Sequence, residues 1–358
     1  MLVIVVGSGI IGLLTALACL DRGVEVCIVE QANIPNPQAS SMDQHRINRI
    51  LHPADFASTR RAQLAFSAWL MLEARLGRPI STHNGCLTIL PSDQAECSVI
   101  LLQELGVAHS RFDTSALLLH YPQLRFSPDA VGILEHDTGT LLASQVLHAL
   151  VDAVSSHPLV RLQPNSKIVA IEPDKCVVEL SSGRKLQADA LLVAAGAWSR
   201  ELLSPWLPHV PILWRQSLVY CLVPLPHLAA WRIAPSVPKL GTLGGGWIVP
   251  PVADTALKLS CASACRPVTS LSDRATPIGL LDMILNDMCQ HVVGLDRSWV
   301  TSTCDAYYLS RSLSDDPWVV QLSRIAPSLA LAACGGRAFK FAPLLALELA
   351  ELLLSMST

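Results

Sequence analysis

The fold is decided by the stretch LVIVVGSGIIG at residues 2–12. Its first five residues are apolar and mostly β-branched, which is typical of a strand buried on both faces. A helix-forming segment follows at 13–21, and residues 24–29 have the pattern of a second strand. The sequence therefore predicts a strand–helix–strand unit with a Gly-x-Gly-x-x-Gly turn after its first strand.

Each glycine of this turn has its own physical role in binding a dinucleotide. Gly7 permits the tight turn, Gly9 lets a pyrophosphate approach the backbone, and Gly12 allows close packing of helix on strand. The helix start then presents unpaired N–H groups and the positive end of its dipole to the phosphates. Glu30, at the end of the second strand, is placed to accept a hydrogen bond from a ribose hydroxyl. The predicted contacts of this unit are Gly7, Gly9, Ile10, Ile11, Gly12, Glu30 and Gln31.

The composition excludes several classes of protein. With 358 residues, 51% of them hydrophobic and 15% charged, the chain can bury enough apolar surface to fold, and its length suggests two domains. The net charge of −3 comes without a basic patch, so we expect no nucleic-acid partner. The most apolar stretches, 1–20 and 341–356, are interrupted by glycines or glutamates, and we expect no membrane span.

The 11 cysteines bear on the compartment and on metals. We find no export signal, so the expected location is the cytoplasm, where these cysteines are free thiols. The cysteines include no Cys-x-x-Cys pair and the histidines have no ligand spacing, so no metal site is expected.

The choice between FAD and NAD depends on later parts of the chain, because Glu30 suits either ribose. Three short strand patterns lie between 167 and 188, and an apolar strand at 190–194 closes in Ala-Gly-Ala-Trp-Ser. This ending is a flavoprotein motif. An NAD-dependent dehydrogenase is disfavoured, because the second half of the chain lacks another nucleotide-binding strand–helix–strand unit.

With these motifs in place, the chain resembles the D-amino-acid-oxidase-like flavoenzymes, in particular the branch of monomeric sarcosine oxidase and N-methyltryptophan oxidase. The most specific matches are Thr-Ser-Thr-Cys at 301–304 and the Gly-Gly-Arg-Ala-Phe-Lys-Phe-Ala-Pro segment at 335–343. The other matches are the first strand–helix–strand unit, Ser-Ser at 40–41 with Arg-Ile-Asn-Arg at 46–49, and the segment 189–199.

The resemblance implies an α/β fold with two domains. A Rossmann-like FAD-binding domain is expected to use residues 1–85, 140–205 and 318–358. A substrate domain with a mixed, largely antiparallel sheet is expected to use 86–139 and 206–317. Many prolines and tryptophans in the segment 206–251 agree with a change of architecture there.

The resemblance gives roles to Lys258 and Cys304. Lys258 stands in an apolar strand pattern and matches a lysine that lies over the flavin and promotes reaction with O2, where a fixed cation stabilises the superoxide first formed. The alternative is a lysine on an edge strand that points to solvent. Cys304 matches the cysteine that links FAD covalently. Ala306 and Met42 depart from the family, because they replace an active-site tyrosine and a histidine near the flavin.

Three cations match residues around the substrate and the flavin ring. Arg46 corresponds to an arginine near the flavin, and Lys340, with Arg49 near it, corresponds to the binder of the substrate carboxylate. A buried carboxylate needs such a cation, because an unpaired charge in an apolar pocket is very costly. The alternative for Arg49 is a pair with a surface acid. The further cofactor contacts implied are Ser40, Ser41, Arg46, Ile168, Ala195, Gly196, Trp198, Cys304, Gly335, Gly336, Ala338, Phe339 and Lys340.

The expected activity is an FAD-dependent oxidation of a C–N bond in a secondary amine, amino acid or cyclic imino acid with a carboxylate. O2 accepts the electrons, the products are an imine and H2O2, and secondary-metabolite biosynthesis is the suggested setting. Two alternatives remain open: an amino-acid dehydrogenase that passes electrons to a carrier, and a catalytically silent FAD-holding subunit of a larger complex. For the protein itself we expect a monomer or a small homo-oligomer.

Overall fold

The structure is a computed structural model that describes residues 1–240, 245–271, 275–311 and 317–357. The helices in these ranges are α1 (Ile10–Leu20), α2 (Phe56–Leu76), α3 (Ser92–Glu104), α4 (Thr114–His120), α5 (Ala143–Ser155), α6 (Ser199–Leu202), α7 (Leu225–Arg232), α8 (Ile278–Met288) and α9 (Ala338–Ser355). The strands are β1 (Leu2–Val6), β2 (Glu25–Val29), β3 (Arg46–Asn48), β4 (Ser81–Thr82), β5 (Cys86–Pro91), β6 (His109–Phe112), β7 (Ala130–Glu135), β8 (Gly139–Leu141), β9 (Val160–Gln163), β10 (Ile168–Glu172), β11 (Val177–Leu180), β12 (Lys185–Gln187), β13 (Ala190–Val193), β14 (Ile212–Cys221), β15 (Ser236–Leu240), β16 (Gly246–Val249), β17 (Leu257–Cys261), β18 (Cys265–Val268), β19 (Val300–Ser310), β20 (Trp318–Gln321) and β21 (Ser328–Ala333).

The first large sheet has the strand order β20-β21-β13-β1-β2-β9 and is parallel except for β20. In β1, Val3 and Val5 pack into a core formed with α1, α5 and α9, while Ile4 and Val6 pack into a second core that includes β10 and β11. Because alternate residues of a strand point to opposite faces, the apolar run is explained by cover on both sides. The predicted strand–helix–strand unit is therefore confirmed.

The second large sheet is mixed and mostly antiparallel. Its order is β18-β14-β17-β16-β15-β5-β7-β6, with β19 also paired to β14, and its parallel pair is β15 with β5. Strands β3, β8 and β4 form a three-stranded sheet in that order, and Arg46 is the first residue of β3. The predicted fold class, a Rossmann-like unit with a second mixed sheet, is confirmed, and the domain bounds given above stay a prediction.

Two helices position the site from one side. α2 begins after Asp55, whose side chain accepts a hydrogen bond from the backbone N–H of Ser58, and it ends at Gly77 in the left-handed conformation. α9 contains residues 341–355 of the apolar stretch 341–356, which is explained by burial against α1 and α2. Among the helices of the described residues, none has both the length and the apolar character that crossing a bilayer requires.

Candidate active site

A cavity of about 600 Å³ is lined by residues of both large sheets. One end is formed by the glycine turn after β1 and by the end of β2, and the other end contains Trp247 and Lys258. The predicted site residues that line it are Gly7, Gly9, Ile10, Ile11, Glu30, Gln31, Ser40, Ser41, Arg46, Ile168, Ala195, Gly196, Trp198, Lys258, Gly335, Gly336, Ala338 and Phe339. Four predicted residues lie outside its lining: Gly12, Arg49, Cys304 and Lys340.

The glycine turn has the geometry that a dinucleotide cradle requires. A Cβ on Gly12 would lie 2.0 Å from the Gly7 carbonyl oxygen, and a Cβ on Gly7, whose φ is +101°, would lie 2.6 Å from the Ala194 carbonyl oxygen. Gly9 caps α1 without a side chain, the N–H of Ile10 donates to the Ser41 hydroxyl at 3.1 Å, and Gly9, Ile10 and Ser41 line the cavity at the start of the helix. Gly12 therefore acts through packing beneath the cradle, as predicted, although it does not line the cavity.

Glu30 is buried at the cavity wall and is hydrogen-bonded within the protein. Its carboxylate accepts from the backbone N–H and the hydroxyl of Ser8, both at 2.9 Å, and from the side-chain amide of Asn36 at 2.9 Å. These bonds fix the carboxylate at the end of β2, beside the turn. The backbone N–H of Ala32 also donates to this carboxylate, at 3.3 Å, so the predicted ribose contact would share an oxygen that already accepts two hydrogen bonds.

Arg46 and Phe339 form the wall where β3 meets the start of α9. The guanidinium carbon of Arg46 lies 5.9 Å from the centre of the Phe339 ring, and that ring stacks on Trp69 at 5.8 Å. Arg46 also donates to the Ser40 carbonyl oxygen at 2.5 Å and to the Asp43 carboxylate. The arginine is thereby held at the cavity surface by an aromatic face and two acceptors.

Lys258 is the buried cation of the cavity, with only 1% of its surface exposed. Its strand β17 pairs with β14 on one side and β16 on the other, so the alternative of an edge strand facing solvent is wrong. The Nζ atom donates to the Asp43 carboxylate at 2.9 Å and to the His45 carbonyl oxygen at 2.5 Å. Burial and the charge of Arg46 lower the pKa of Lys258, while the Asp43 carboxylate favours its charged form.

Asp43 joins this group to the second sheet. Its buried carboxylate accepts from Lys258, from Arg46 and, at 2.7 Å, from the hydroxyl of Tyr220 on β14. A carboxylate that receives two cations and a hydroxyl fixes the position of all three donors. Asp43 therefore sets the geometry of the charged end of the cavity.

The register of β14 with β19 determines where Cys304 lies. Cys304 is opposite Leu218, and Gln216 is opposite Ala306. Since opposite residues share a face, and Gln216, Leu218 and Ala306 all line the cavity, Cys304 is on the cavity face of the sheet. Its thiol donates to the Asp305 carbonyl oxygen at 3.7 Å.

The tryptophans of the presumed substrate region have different positions. The Trp247 ring lines the cavity and lies 5.7 Å from Lys258 Nζ. Trp231 is buried in the core of the second sheet, and Trp214 donates to the Ser310 hydroxyl at 2.7 Å. Of these three tryptophans, Trp247 is therefore the one in the cavity wall.

Lys340 and Arg49 belong to a separate buried cluster with His52, Arg337 and Glu135. Lys340 Nζ lies 2.6 Å from His52 Nε2, and Arg337 Nη1 lies 3.2 Å from His52 Nδ1. Glu135 is fully buried, and one of its oxygens accepts from the backbone N–H groups that follow Arg49. The alternative for Arg49, a pair with a surface acid, is wrong, because the carboxylate that acts on it is buried.

Burial dominates the electrostatics of this cluster. It lowers the pKa of Lys340 well below its ordinary value, and Arg49 and Arg337 lower it further, opposed by Glu135. Burial also lowers the pKa of His52, and Lys340, Arg49 and Arg337 add to the effect. The pKa of Glu135 is raised by burial, although its backbone hydrogen bonds oppose the shift. The cluster holds three basic side chains against one carboxylate, so it favours an added anion.

Residues 3–352 match the sequence model of the DAO family, described as FAD dependent oxidoreductases. The chain belongs to the DAO family. The resemblance stated from the motifs is confirmed, and so is FAD as the cofactor of the family. The glycine cradle fits such a dinucleotide, since no side chain larger than hydrogen is accommodated at Gly7 or Gly12.

Relatives of this DAO-family chain include two amine oxidases. Peroxisomal sarcosine oxidase of Homo sapiens is 29% identical over 211 residues, which cover 58% of this chain and 54% of that protein. N-methyl-L-tryptophan oxidase of Salmonella arizonae is 25% identical over 215 residues, covering 58% and 56%. The matches therefore span about half the length of these curated relatives.

Solved structures show the same fold over nearly the whole chain. NikD, an unusual amino acid oxidase essential for nikkomycin biosynthesis, superposes with a TM-score of 0.81 at 18% identity, covering 99% of this chain and 94% of that one. L-proline dehydrogenase from P. horikoshii superposes with a TM-score of 0.82 at 17% identity, covering 98% and 92%. These likenesses establish the fold of this DAO-family chain.

Five residues of the site were given no role by the predictions from sequence: Asp43, Tyr220, His52, Arg337 and Glu135. One signal was available, because Asp43 lies three residues before Arg46 and puts a carboxylate among predicted cations. Arg337 also lies inside the quoted Gly-Gly segment. No local sequence pattern identifies Tyr220, His52 or Glu135, because their partners meet them only in the tertiary fold.

Proposed function

We propose that this DAO-family protein oxidises the C–N bond of a secondary amine, amino acid or cyclic imino acid that carries a carboxylate. The products are an imine and, with O2 as acceptor, H2O2. Bound FAD supplies the two-electron acceptor for the substrate, and the protein supplies binding, orientation and charge. The amine oxidases among the relatives support a C–N donor.

The single observation that carries this proposal is the buried, carboxylate-bound Lys258 in the cavity wall. A cation fixed there by Asp43 and the His45 carbonyl oxygen costs no reorganisation when negative charge develops on O2. A cavity that served only to store FAD would not need it, since a buried lysine is costly. Lys258 therefore favours an oxidase over a silent FAD-holding subunit.

The substrate carboxylate is assigned to the cluster of Lys340 and Arg49. Support comes from the excess of basic side chains over Glu135 in a buried environment. Both residues lie outside the cavity lining, so a carboxylate in the cavity has to draw at least one of them toward it. Long lysine and arginine side chains permit such a movement without a change of backbone.

We also propose that Cys304 forms the covalent bond to FAD. Its position on the cavity face of β19, opposite Leu218, supports this role. The test is acid precipitation followed by absorbance spectra of pellet and supernatant. Yellow colour in the pellet of the wild type, lost in Cys304→Ser, is expected. Colour that stays in the supernatant of both proteins would contradict the covalent bond and leave bound FAD in place.

The activity is tested by anaerobic reduction and aerobic reoxidation in a stopped-flow instrument, after a screen of N-methyl amino acids and cyclic imino acids for H2O2 release. In Lys258→Met, reoxidation by O2 is expected to slow by about 100-fold, while anaerobic reduction changes far less. Lys239→Met, on β15 and outside the cavity lining, is the matched control and keeps both rates.

The same experiment separates the alternatives. A flavin that substrate reduces but O2 does not reoxidise, even with Lys258 intact, would establish a dehydrogenase that uses a carrier. A flavin that none of the amines reduces would establish the silent subunit. Equal loss of both rates in Lys258→Met would show that the lysine supports structure instead of the reaction with O2.

A further inference from the structure

His52 lies between two basic side chains, and its hydrogen bonds determine where the protons are. Arg337 faces Nδ1 and can only donate, so Nδ1 must carry the lone pair. A neutral imidazole with a lone pair on Nδ1 has its proton on Nε2. That N–H points at Lys340 Nζ, 2.6 Å away. An ammonium group has no lone pair to receive it, whereas an uncharged amine has one.

The groups around Lys340 agree with an uncharged amine. Arg49 and Arg337 are basic, the thiol of Cys86 is held neutral by burial, and Glu135 is the acid that acts on the lysine. A second proton on His52 would leave donors facing donors at both ring nitrogens. Burial lowers the pKa of Lys340 well below its ordinary value, in the direction that the hydrogen bonds require.

We propose that Lys340 rests as a neutral amine, held by the Nε2–H of His52, and becomes an ammonium when a substrate carboxylate binds beside it and Nζ turns from the Nε2–H to that carboxylate. The proton comes from the substrate's own ammonium group, which must lose it before the C–N bond can be oxidised. One N–H bond of the substrate breaks and one N–H bond forms on Nζ, so the total charge is unchanged. This inference rests on the proposed carboxylate site.

The transfer selects a class of substrate. A zwitterionic amino or imino acid brings both the anion that stabilises the ammonium form of Lys340 and the proton that creates it. An amine without a carboxylate brings no anion, and so leaves Lys340 neutral. The Phe341 ring, 4.7 Å from Nζ, adds a face that favours the ammonium once it forms. His52 is a positioning residue, because it acts on the substrate through Lys340.

The resting state is tested by NMR on the FAD-loaded protein labelled with ¹³C and ¹⁵N in its lysines. The Nζ resonance of Lys340, assigned with Lys340→Met, is expected at the amine position at pH 7.5. His52→Gln keeps one acceptor and one donor and is expected to leave it there. A wild-type resonance at the ammonium position without ligand would overturn the proposal.

Proton uptake is tested by calorimetry in two buffers of different ionisation enthalpy, with two unreactive probes. Cyclopentanecarboxylate has no nitrogen, so about one proton is expected to come from the buffer when it binds. 2-Aminoisobutyrate has no hydrogen on the carbon next to nitrogen, and it brings its own proton, so net uptake close to zero is expected. Lys340→Met is expected to take up no proton with either probe.

The outcomes distinguish this inference from the proposed function. Binding seen by flavin absorbance, with the Lys340 resonance moving to the ammonium position and uptake of about one proton, supports both. Binding without either change overturns the proton transfer and leaves the carboxylate site in place. Absence of binding by both probes overturns the carboxylate site itself, whatever the resonance of the resting lysine.

Discussion

Lys258 and Lys340 are the two buried lysines of the site, and their partners differ in kind. Lys258 donates to a carboxylate and to a backbone carbonyl oxygen, both of which can only accept. Lys340 faces an imidazole N–H and lies among arginines. Burial lowers the pKa of both lysines. The acceptors around Lys258 can be satisfied by an ammonium or by an amine, and the charge of Asp43 favours the ammonium, whereas an N–H that points at Lys340 Nζ can be satisfied only by an amine.

The largest expected effect comes from removing the Asp43 carboxylate, which is the partner of Lys258. Asp43→Asn leaves Lys258 and Arg46 buried without their shared anion, and we expect a loss of about 3 kcal/mol in the free energy of unfolding. The measurement is urea unfolding at saturating FAD, followed by tryptophan fluorescence. A change below about 1 kcal/mol would mean that Lys258 is uncharged, as Lys340 is proposed to be.

The pH dependence of stability sharpens the comparison further. In the unfolded chain a lysine titrates near 10.4. In the folded protein burial lowers the pKa of Lys340 well below its ordinary value, and we have proposed that the side chain is neutral there. Between these two pKa values the unfolded state binds one more proton, so stability rises with pH by about 1.4 kcal/mol per pH unit. Lys340→Met is expected to lose this slope between pH 7 and pH 9.

Lys258→Met is the matched variant for that experiment. Burial lowers the pKa of Lys258 too, but the Asp43 carboxylate bonded to its Nζ opposes that shift, so removal of Lys258 is expected to change the slope less than removal of Lys340. Equal slopes for the wild type and Lys340→Met would contradict the neutral resting state. Loss of the slope in Lys258→Met would remove the difference between the two lysines.

The cradle could be predicted from the sequence because its constraints are local. Gly7 and Gly12 are five residues apart, and the contact that excludes a side chain at Gly12 is with Gly7 itself. The strand and helix around them follow from periodicity and from the turn. The local sequence signals for the strand, the turn and the helix therefore all agree with one structure, and the predicted strand–helix–strand unit is confirmed.

The charged groups could not be predicted in the same way. Asp43 receives Tyr220 and Lys258 from 177 and 215 residues away, and His52 meets Lys340 across 288 residues. No periodicity or spacing encodes such pairs, and the family resemblance supplied the cations without their partners. The charge state of a buried lysine depends on those partners, so it becomes predictable only after the sheets are assembled.

A smaller effect is expected from the hydroxyl that completes the Asp43 group. Tyr220→Phe removes one hydrogen bond to a carboxylate that keeps both of its cations, so a loss of about 1.5 kcal/mol in unfolding free energy is expected. Reoxidation of the flavin by O2 should change less than in Lys258→Met. A loss as large as that of Asp43→Asn would show that Tyr220, and not the cations, positions the carboxylate.

The smallest effect is expected from an ion pair that shares a helix with Lys340 but not its burial. Arg61 on α2 donates twice to Glu348 on α9 at 2.9 Å, and both side chains are more than 40% exposed. Water and salt screen such a pair, so Arg61→Ala is expected to cost at most about 0.5 kcal/mol. The urea experiment at low and high salt checks this. A cost above about 1.5 kcal/mol would mean that the packing of α2 on α9 depends on this ion pair. The changes in unfolding free energy of the Lys340 variants would then have to be compared with that cost.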